Sequence, residues 1–332
     1  MLKGPGKEAA MRYRTLGKTG LEVSELGYGA WGIGQTMWIG ADDDESLQAL
    51  RRAIEHGVNF LDTAYGYGDG HSERLVGAAV RESPGTVYVG SKIPPKNREW
   101  PARPGVRAEE TFPADWILAC TERSLQNLGL ETIDVQQLHV WSDEWVGQGD
   151  WLDGIERLKR DGKIRFFGVS INDHQPENAL RLVESGLVDV VQVIYNVFDQ
   201  SPEAALFPAV QTERVGVIVR VPFDEGALTG NVRPETTFPD GDFRNGYFAG
   251  DRKREVWERV QAITRDLDVE VDRLAEIALR FCLSHPATSV VIPGMRSTRN
   301  VERNVRAASA GPLDDSQLAV LRRHCWVVDH YH

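Results

Sequence analysis

Residues 188–195 read Val-Asp-Val-Val-Gln-Val-Ile-Tyr. The apolar side chains fall on successive residues rather than alternate ones. A strand with that pattern is buried on both faces, as in a parallel sheet covered by helices. The runs VGVIV at 215–219 and SVVIP at 289–293 have the same character. Working outward, the predicted strands are Glu25–Tyr28, Val58–Asp62, Val87–Ser91, Thr132–Leu138, Ile164–Val169, Val188–Ile194, Val215–Val219 and Ser289–Ile292. Amphipathic stretches separate them. Ser46, Leu47, Leu50, Ala53 and Ile54 form one apolar stripe, with the acidic Asp42–Glu45 at its positive N-terminal end. Asp115 is the predicted N-cap of a helix reaching Leu128. A helix over Gly154–Arg160 stops at Asp161-Gly162. Pro176 suits the first turn of a helix over Glu177–Glu184. Leu274–Leu283 forms a further stripe, closed by Pro286. Eight strands, each followed by a helix, predict an α/β fold, a (β/α)8 TIM barrel with further helices at the C-terminal end. The preceding RYRTLGKTGLEVSEL, residues 12–26, predicts a small β-hairpin turning at Lys18-Thr19-Gly20 that plugs the N-terminal end of the barrel. The long irregular stretch Glu225–Asp251 predicts a lid or a mobile segment.

Composition narrows the function classes. The chain has 332 residues, 41% hydrophobic and 26% charged, as in an ordinary globular protein. Its formal charge is 38 − 49 = −11. An acidic chain without a basic run is a poor partner for nucleic acid or anionic membrane. Cys120, Cys282 and Cys325 are too few and too scattered for a disulfide framework or a zinc pattern, which suits the cytoplasm. No apolar run approaches the ~18 residues of a membrane span. Residues 1–11 read as a disordered or tag-derived extension, with 12–332 as one barrel domain. The closing DHYH reads as an exposed end, and no metal site is assigned.

Gly27-Tyr28-Gly29-Ala30-Trp31-Gly32 matches the G-x-G-x-x-G pattern of dinucleotide-binding sheets. The context argues against that reading. Ile33–Gly40 holds more glycines and no helical stripe, and no acidic residue closes a second strand at the right distance. A loop that lets a ligand approach closely fits better.

Four ionisable residues stand at or just beyond predicted strand ends. Asp62 closes VNFLD, Tyr67 lies in the turn DTAYGYGDG, Lys92 closes VYVGSK and His139 closes IDVQQLH. In a barrel the C-terminal strand ends form the active face. Each residue alone has a structural reading, as a cap, a loop aromatic or a buried partner. Four on successive units point to acid chemistry. Carbonyl reduction needs a proton for the oxygen. A phenol, with a pKa near ~10, needs tuning for that role. Lys92 is expected to lower the Tyr67 pKa, Asp62 to hold Lys92 in place, and His139 to orient the carbonyl and share in proton delivery.

With these residues the chain resembles the aldo-keto reductase superfamily, from YRTLGKTGLEVSELGYGAW to the C-terminal helices. The block Asp62 to Glu73, D-T-A-x-x-Y-G-x-G-x-S-E in pattern, carries the resemblance most specifically. The loop with Trp38 and the run GHSERLVG are similar to a bacterial branch that includes inositol-utilisation reductases, and to potassium-channel β-subunits. The resemblance implies a catalytic tetrad of Asp62, Tyr67, Lys92 and His139, with Tyr67 rather than Tyr65 as proton donor. It implies NADP(H) as cofactor. It places Gly29, Ala30, Trp31 and Asp62 near the nicotinamide, and Ser170 and Gln192 on its carboxamide. Arg220, Pro222 and Gly226 would lie along the cofactor, and Pro293, Gly294, Arg296, Asn300, Arg303 and Asn304 around its phosphate and adenine. Arg296 and Arg299 beside a helix start suit an anion. Three positions depart from the family pattern: Ile171 follows Ser170 with Asn172 one place later, Arg220 stands where many members stack an aromatic, and Arg303 precedes Asn304 in place of Glu.

For the substrate, Trp31, Tyr67, His139 and Trp141 are the expected contacts. Trp141, Trp145 and Trp151, with Asp143 and Glu144, suggest a wall for a sugar or polyol carbonyl, or an aromatic aldehyde. Phe243, Arg244, Tyr247 and Phe248 are expected to close over the site. The function read here is reduction of an aldehyde or ketone. The alternative is an NADP(H)-binding regulatory subunit with little turnover. Substrate identity and oligomeric state are not encoded in these patterns.

Overall fold

The computed structural model describes residues 10–331. Of the expected N-terminal extension, residues 1–9 lie outside the described residues, while Met11 packs against the core.

The hairpin forms from β1 (Tyr13–Thr15) and β2 (Glu22–Ser24), paired antiparallel with Tyr13 opposite Ser24. Its turn bears on the start of a barrel strand, where Lys18 N donates to Arg214 O at 2.5 Å. Gly17 sits there at φ 52°, and a Cβ would come within 2.2 Å of Gly216 N, so only glycine fits.

The barrel strands are β3 (Tyr28–Gly29), β4 (Phe60–Asp62), β5 (Tyr88–Ile93), β6 (Ile133–Leu138), β7 (Ile164–Ser170), β8 (Val190–Ile194), β9 (Gly216–Arg220) and β10 (Val290–Val291). They lie in chain order, all parallel, and the bridges Leu26–Val291 and Gly29–Gly294 join the two ends of the sheet. The eight-stranded (β/α) barrel expected from the apolar runs is therefore present. Inside it Phe60, Val135, Val190, Ile218 and Val290 meet Leu16, Leu21 and Val23 of the hairpin, which fills the N-terminal end. Each such apolar side chain contributes about 1.5–3 kcal/mol by burial. Tall side chains fill the bottom, so the ligand space lies at the C-terminal end.

Local differences have local causes. Asp115 is not an N-cap. The helix Ala114–Leu128 begins after Pro113, and Asp150 accepts from Ala114 N at 3.0 Å. The helix expected over Glu177–Glu184 is split into a 3-10 turn, Pro176–Ala179, and an α-helix, Leu180–Glu184. Asp143 accepts from the backbone N–H of Arg181 and Leu182 and so satisfies the start of the second piece. The first barrel strand is shorter than expected because Glu25 is drawn into ion pairs with Arg12 and Arg14, both at 2.6 Å. Among the described residues no helix is long and apolar enough to cross a membrane.

Candidate active site

Asp62 ends β4, Lys92 is the fifth residue of β5, and His139 immediately follows β6. Register fixes their heights, with Asp62 opposite Gly90 and Lys92 opposite Gln137. Tyr67 rides on the turn after β4, whose Tyr65 N and Tyr67 N donate to Lys92 O and Ala64 O. The structure thus brings together all four residues of the expected tetrad. Tyr65 points elsewhere, accepting from Arg123 at 3.3 Å.

Lys92 is fully buried, and its ammonium has three oxygen partners: Asp62 Oδ1 at 2.5 Å, Thr63 O at 2.8 Å and Tyr67 Oη at 3.3 Å. The other carboxylate oxygen of Asp62 accepts from Gln192 Nε2 at 2.9 Å and Gln137 Nε2 at 3.3 Å. Burial opposes the Lys92 charge, but Asp62 and Tyr67 outweigh it and the lysine pKa ends above its ordinary value. The expected lowering of the Tyr67 pKa is corrected. Burial raises it more than Lys92 lowers it, and the phenol stays protonated. His139 also differs from expectation. Burial first, then the Lys92 and Arg220 charges, hold its pKa well below the usual histidine value. A neutral imidazole orients a carbonyl but holds no spare proton. The His139 ring meets those of Tyr67 and Trp100 edge-on, with centroids 5.7 Å and 5.8 Å apart.

The model of the aldo/keto reductase family matches residues 25–325. The chain belongs to the aldo/keto reductase family. It is similar to the aldo-keto reductase YhdN of Bacillus subtilis, with 29% identity covering 88% of this chain and 87% of that one. A probable voltage-gated potassium channel subunit beta of Arabidopsis thaliana is 26% identical, covering 91% of this chain and 93% of its own. Among solved structures, the holo form of an aldo-keto reductase from Bacillus halodurans superposes with a TM-score of 0.74 at 27% identity, covering 97% of this chain and all of that one.

In this aldo/keto reductase a cleft of about 1030 Å³ runs across the strand ends. Asp62, Tyr67 and His139 line its middle, with Gly29, Trp31, Ser170, Gln192 and Arg220 around them. Pro222, Gly226, Gly294, Arg296 and Asn300 line it further along. Ala30 and Pro293 lie behind the wall. Their backbones support it, with Ala30 N donating to Asp62 O and Pro293 O accepting from Gly29 N. Arg303 and Asn304 sit about a turn beyond Asn300 on the helix Thr298–Ser309, off the cleft, and Arg299 is exposed.

Other expectations change in detail. Gln192 spends its amide N–H on Asp62, leaving its carbonyl oxygen for a ligand. Asn172 is committed to Ala102 and Gln175. Arg220, standing where many family members stack an aromatic, is engaged by neighbours. It donates to Ile171 O at 3.0 Å and to Asp173 at 2.6 Å. Trp141 is corrected outright. It is fully buried against Trp145 and Trp151, all three off the cleft, and Asp143 caps a helix while Glu144 holds Gly105 N. The rings that line the cleft instead are Trp31, Trp38, Trp100, Phe223, Phe238, Phe243 and Tyr331. Trp100 carried no motif signal, standing in a loop with no apolar period.

The segment after β9 covers the cleft, and Phe243 N donates to Met37 O at 2.9 Å across the opening. Phe243 and Arg244 line the cleft, whereas Tyr247 and Phe248 are buried behind them. Val221, Asp224 and Glu225 take φ of 55°, 47° and 53°, the left-handed region that non-glycine residues avoid. The tail is not simply an exposed end. Tyr331 lines the cleft, stacks on Phe243 at 6.0 Å and donates to Glu225.

At one end of the cleft, Arg244 and Arg296 flank Trp38 at 4.1 and 5.5 Å. Asp242 neutralises Arg244 through two bonds of 2.8 Å. Among the described residues no carboxylate pairs with Arg296. Burial and then Arg244 pull its pKa down. Asp242 and Glu45 act on it only from a distance, and Ile39 O accepts one of its N–H groups. A guanidinium with no direct carboxylate partner among the described residues, beside the N-terminus of a 12-residue helix, suits an anion.

Proposed function

We propose that this protein is an NADP(H)-dependent reductase of aldehydes or ketones, with Tyr67 as the proton donor. The observation that carries the reading is the direction of the Lys92–Tyr67 bond. An ammonium can only donate, so Tyr67 Oη accepts from Lys92 and its own proton is free for a substrate oxygen. Lys92, held by Asp62, stabilises the phenolate that the transfer leaves behind. Neutral His139 orients the carbonyl oxygen toward Tyr67.

The chain suits the cofactor at both ends of the cleft. Arg296, Asn300 and the start of the Thr298–Ser309 helix offer charge and donors for a 2′-phosphate, and Gln192 Oε1 and Ser170 suit a carboxamide. When bound, NADPH supplies the hydride. A C–H bond then forms at the carbonyl carbon and an O–H bond at its oxygen.

The test is NADPH oxidation over a carbonyl panel with Tyr67→Phe as the control. Loss of a general acid lowers turnover by about 10²–10⁴-fold, while NADPH binding, read by nucleotide fluorescence, persists. Undiminished turnover in Tyr67→Phe sinks the assignment. Tight NADPH binding with no turnover on any carbonyl favours the regulatory-subunit reading.

A further inference from the structure

The chemistry of the cleft wall around Tyr67 bears on which carbonyl compounds enter, an inference that rests on the proposed reduction. That wall is a row of rings. Trp100 meets His139 at 5.8 Å, His139 meets Tyr67 at 5.7 Å, Tyr67 meets Trp31 at 6.3 Å, and Trp31 meets Phe243 at 5.2 Å. Val140 and Ile171 add apolar surface. Two cleft-lining side chains, Trp100 and Met37, are 43% and 46% exposed. An indole and a thioether left in water at a cleft mouth gain when an apolar body covers them.

Most of the polar side chains on this side have partners, while Arg220 Nε and His139 Nδ1 are left unpaired. Asn172 bonds to Ala102 and Gln175, Asp173 to Arg220, Arg220 also to Ile171 O, and Glu225 to Tyr331. A sugar entering here would exchange its water hydrogen bonds for aromatic faces. The acids once expected beside the substrate, Asp143 and Glu144, serve backbone amides elsewhere.

We infer that the substrate is a carbonyl compound with an aryl or comparably flat apolar body, gripped at the cleft mouth by Trp100, and that polyhydroxylated aldehydes are disfavoured. The carbonyl oxygen reaches Tyr67 and His139, and the body lies outward along the rings. Trp100 is thus a specificity-determining residue. Its edge-to-face contact with His139 leaves its outer surface to the substrate.

The experiment compares kcat/KM for 2-naphthaldehyde and D-glyceraldehyde with NADPH in the full-length enzyme. The aryl substrate is expected to lead by about tenfold or more. Trp100→Ala lowers kcat/KM for 2-naphthaldehyde about tenfold, chiefly through KM, and lowers that for glyceraldehyde less. Trp100→Phe restores most of the loss. Calorimetric titration of the NADPH complex with 2-naphthalenemethanol reads the same contact without turnover and weakens in Trp100→Ala. Glyceraldehyde equal to or better than naphthaldehyde overturns the inference, as does an equal loss on both substrates. Absence of any Tyr67-dependent turnover strikes the reduction itself, and the titration then still decides the ring slot.

Discussion

Lys92 donates to the phenolic oxygen of Tyr67 across 3.3 Å while its ammonium is held on Asp62 at 2.5 Å. The three side chains form a line from a buried carboxylate to the cleft. Its outer end is the only one with a proton to give. The barrel makes this possible by fixing Asp62 and Lys92 on adjacent strands, β4 and β5, where neither can retreat to water.

The first prediction concerns that pair. Asp62→Asn leaves a fully buried ammonium without its counter-charge, and the expected loss of folding stability is about 3–5 kcal/mol. The double variant Asp62→Asn with Lys92→Met recovers a large part of the loss, because no buried charge remains. Urea denaturation of the two variants checks this. A double variant no more stable than Asp62→Asn contradicts it.

The second prediction concerns pH. His139 is neutral and Tyr67 protonated across the neutral range. Accordingly kcat/KM is expected to stay within about twofold from pH 6.5 to 8.5. An imidazolium donor would instead lose activity as pH rises through the usual histidine value near ~6.5. Stability runs in the matching sense. Below that value the unfolded chain binds a proton that folded His139 refuses, so this contribution is whole above it and lost as pH falls.

Cofactor choice offers a third test. Arg296→Ala is expected to raise the NADPH dissociation constant about tenfold or more, the scale of a lost charged hydrogen bond. NADH, without the 2′-phosphate, should bind within about threefold of the native protein. Fluorescence titration with both nucleotides separates these outcomes. Equal losses for the two cofactors would remove Arg296 from phosphate recognition.

Glu225 carries the fourth. Burial, with Asp224 beside it, pushes its carboxyl up to about 7 against the opposing bond from Tyr331. Between the ordinary glutamate value near ~4.3 and that pKa, the folded protein keeps a proton the unfolded chain has lost. Stability from this group is therefore whole at low pH and declines as pH rises through that window. Relative to native, Glu225→Gln should gain about 1–3 kcal/mol on moving from pH 5 to pH 8. A pH-independent difference between the two proteins contradicts the assignment.

The eight strands and the four tetrad residues were legible in the sequence because each depends on local pattern. Continuous apolar runs such as VDVVQVIY have one stable place in an α/β fold, and a polar residue that ends such a run emerges at the rim. Asp62, Lys92 and His139 are rim residues of that kind, and Tyr67 lies one turn beyond. The hairpin was legible for the same reason, since Lys18-Thr19-Gly20 marks a tight turn between short strands. Other features depend on residues far apart in the chain. Nothing near Trp141 tells it from Trp100, yet one is sealed among Trp145 and Trp151 and the other stands at the cleft mouth. The partner of Arg220 is Asp173, 47 residues away in the chain. Tyr331 reaches Glu225 across 106 residues.

Hydrophobic periodicity and the residues that interrupt it thus specify the barrel, its active end and the chemistry gathered there. Packing decides the remainder. Desolvation is a property of the assembled interior, and it reverses the expected direction of the Tyr67 pKa and holds His139 neutral. Aromatic side chains are interchangeable in a linear pattern but not in space, so only the folded cleft separates the tryptophans that stabilise the protein from those that face a ligand.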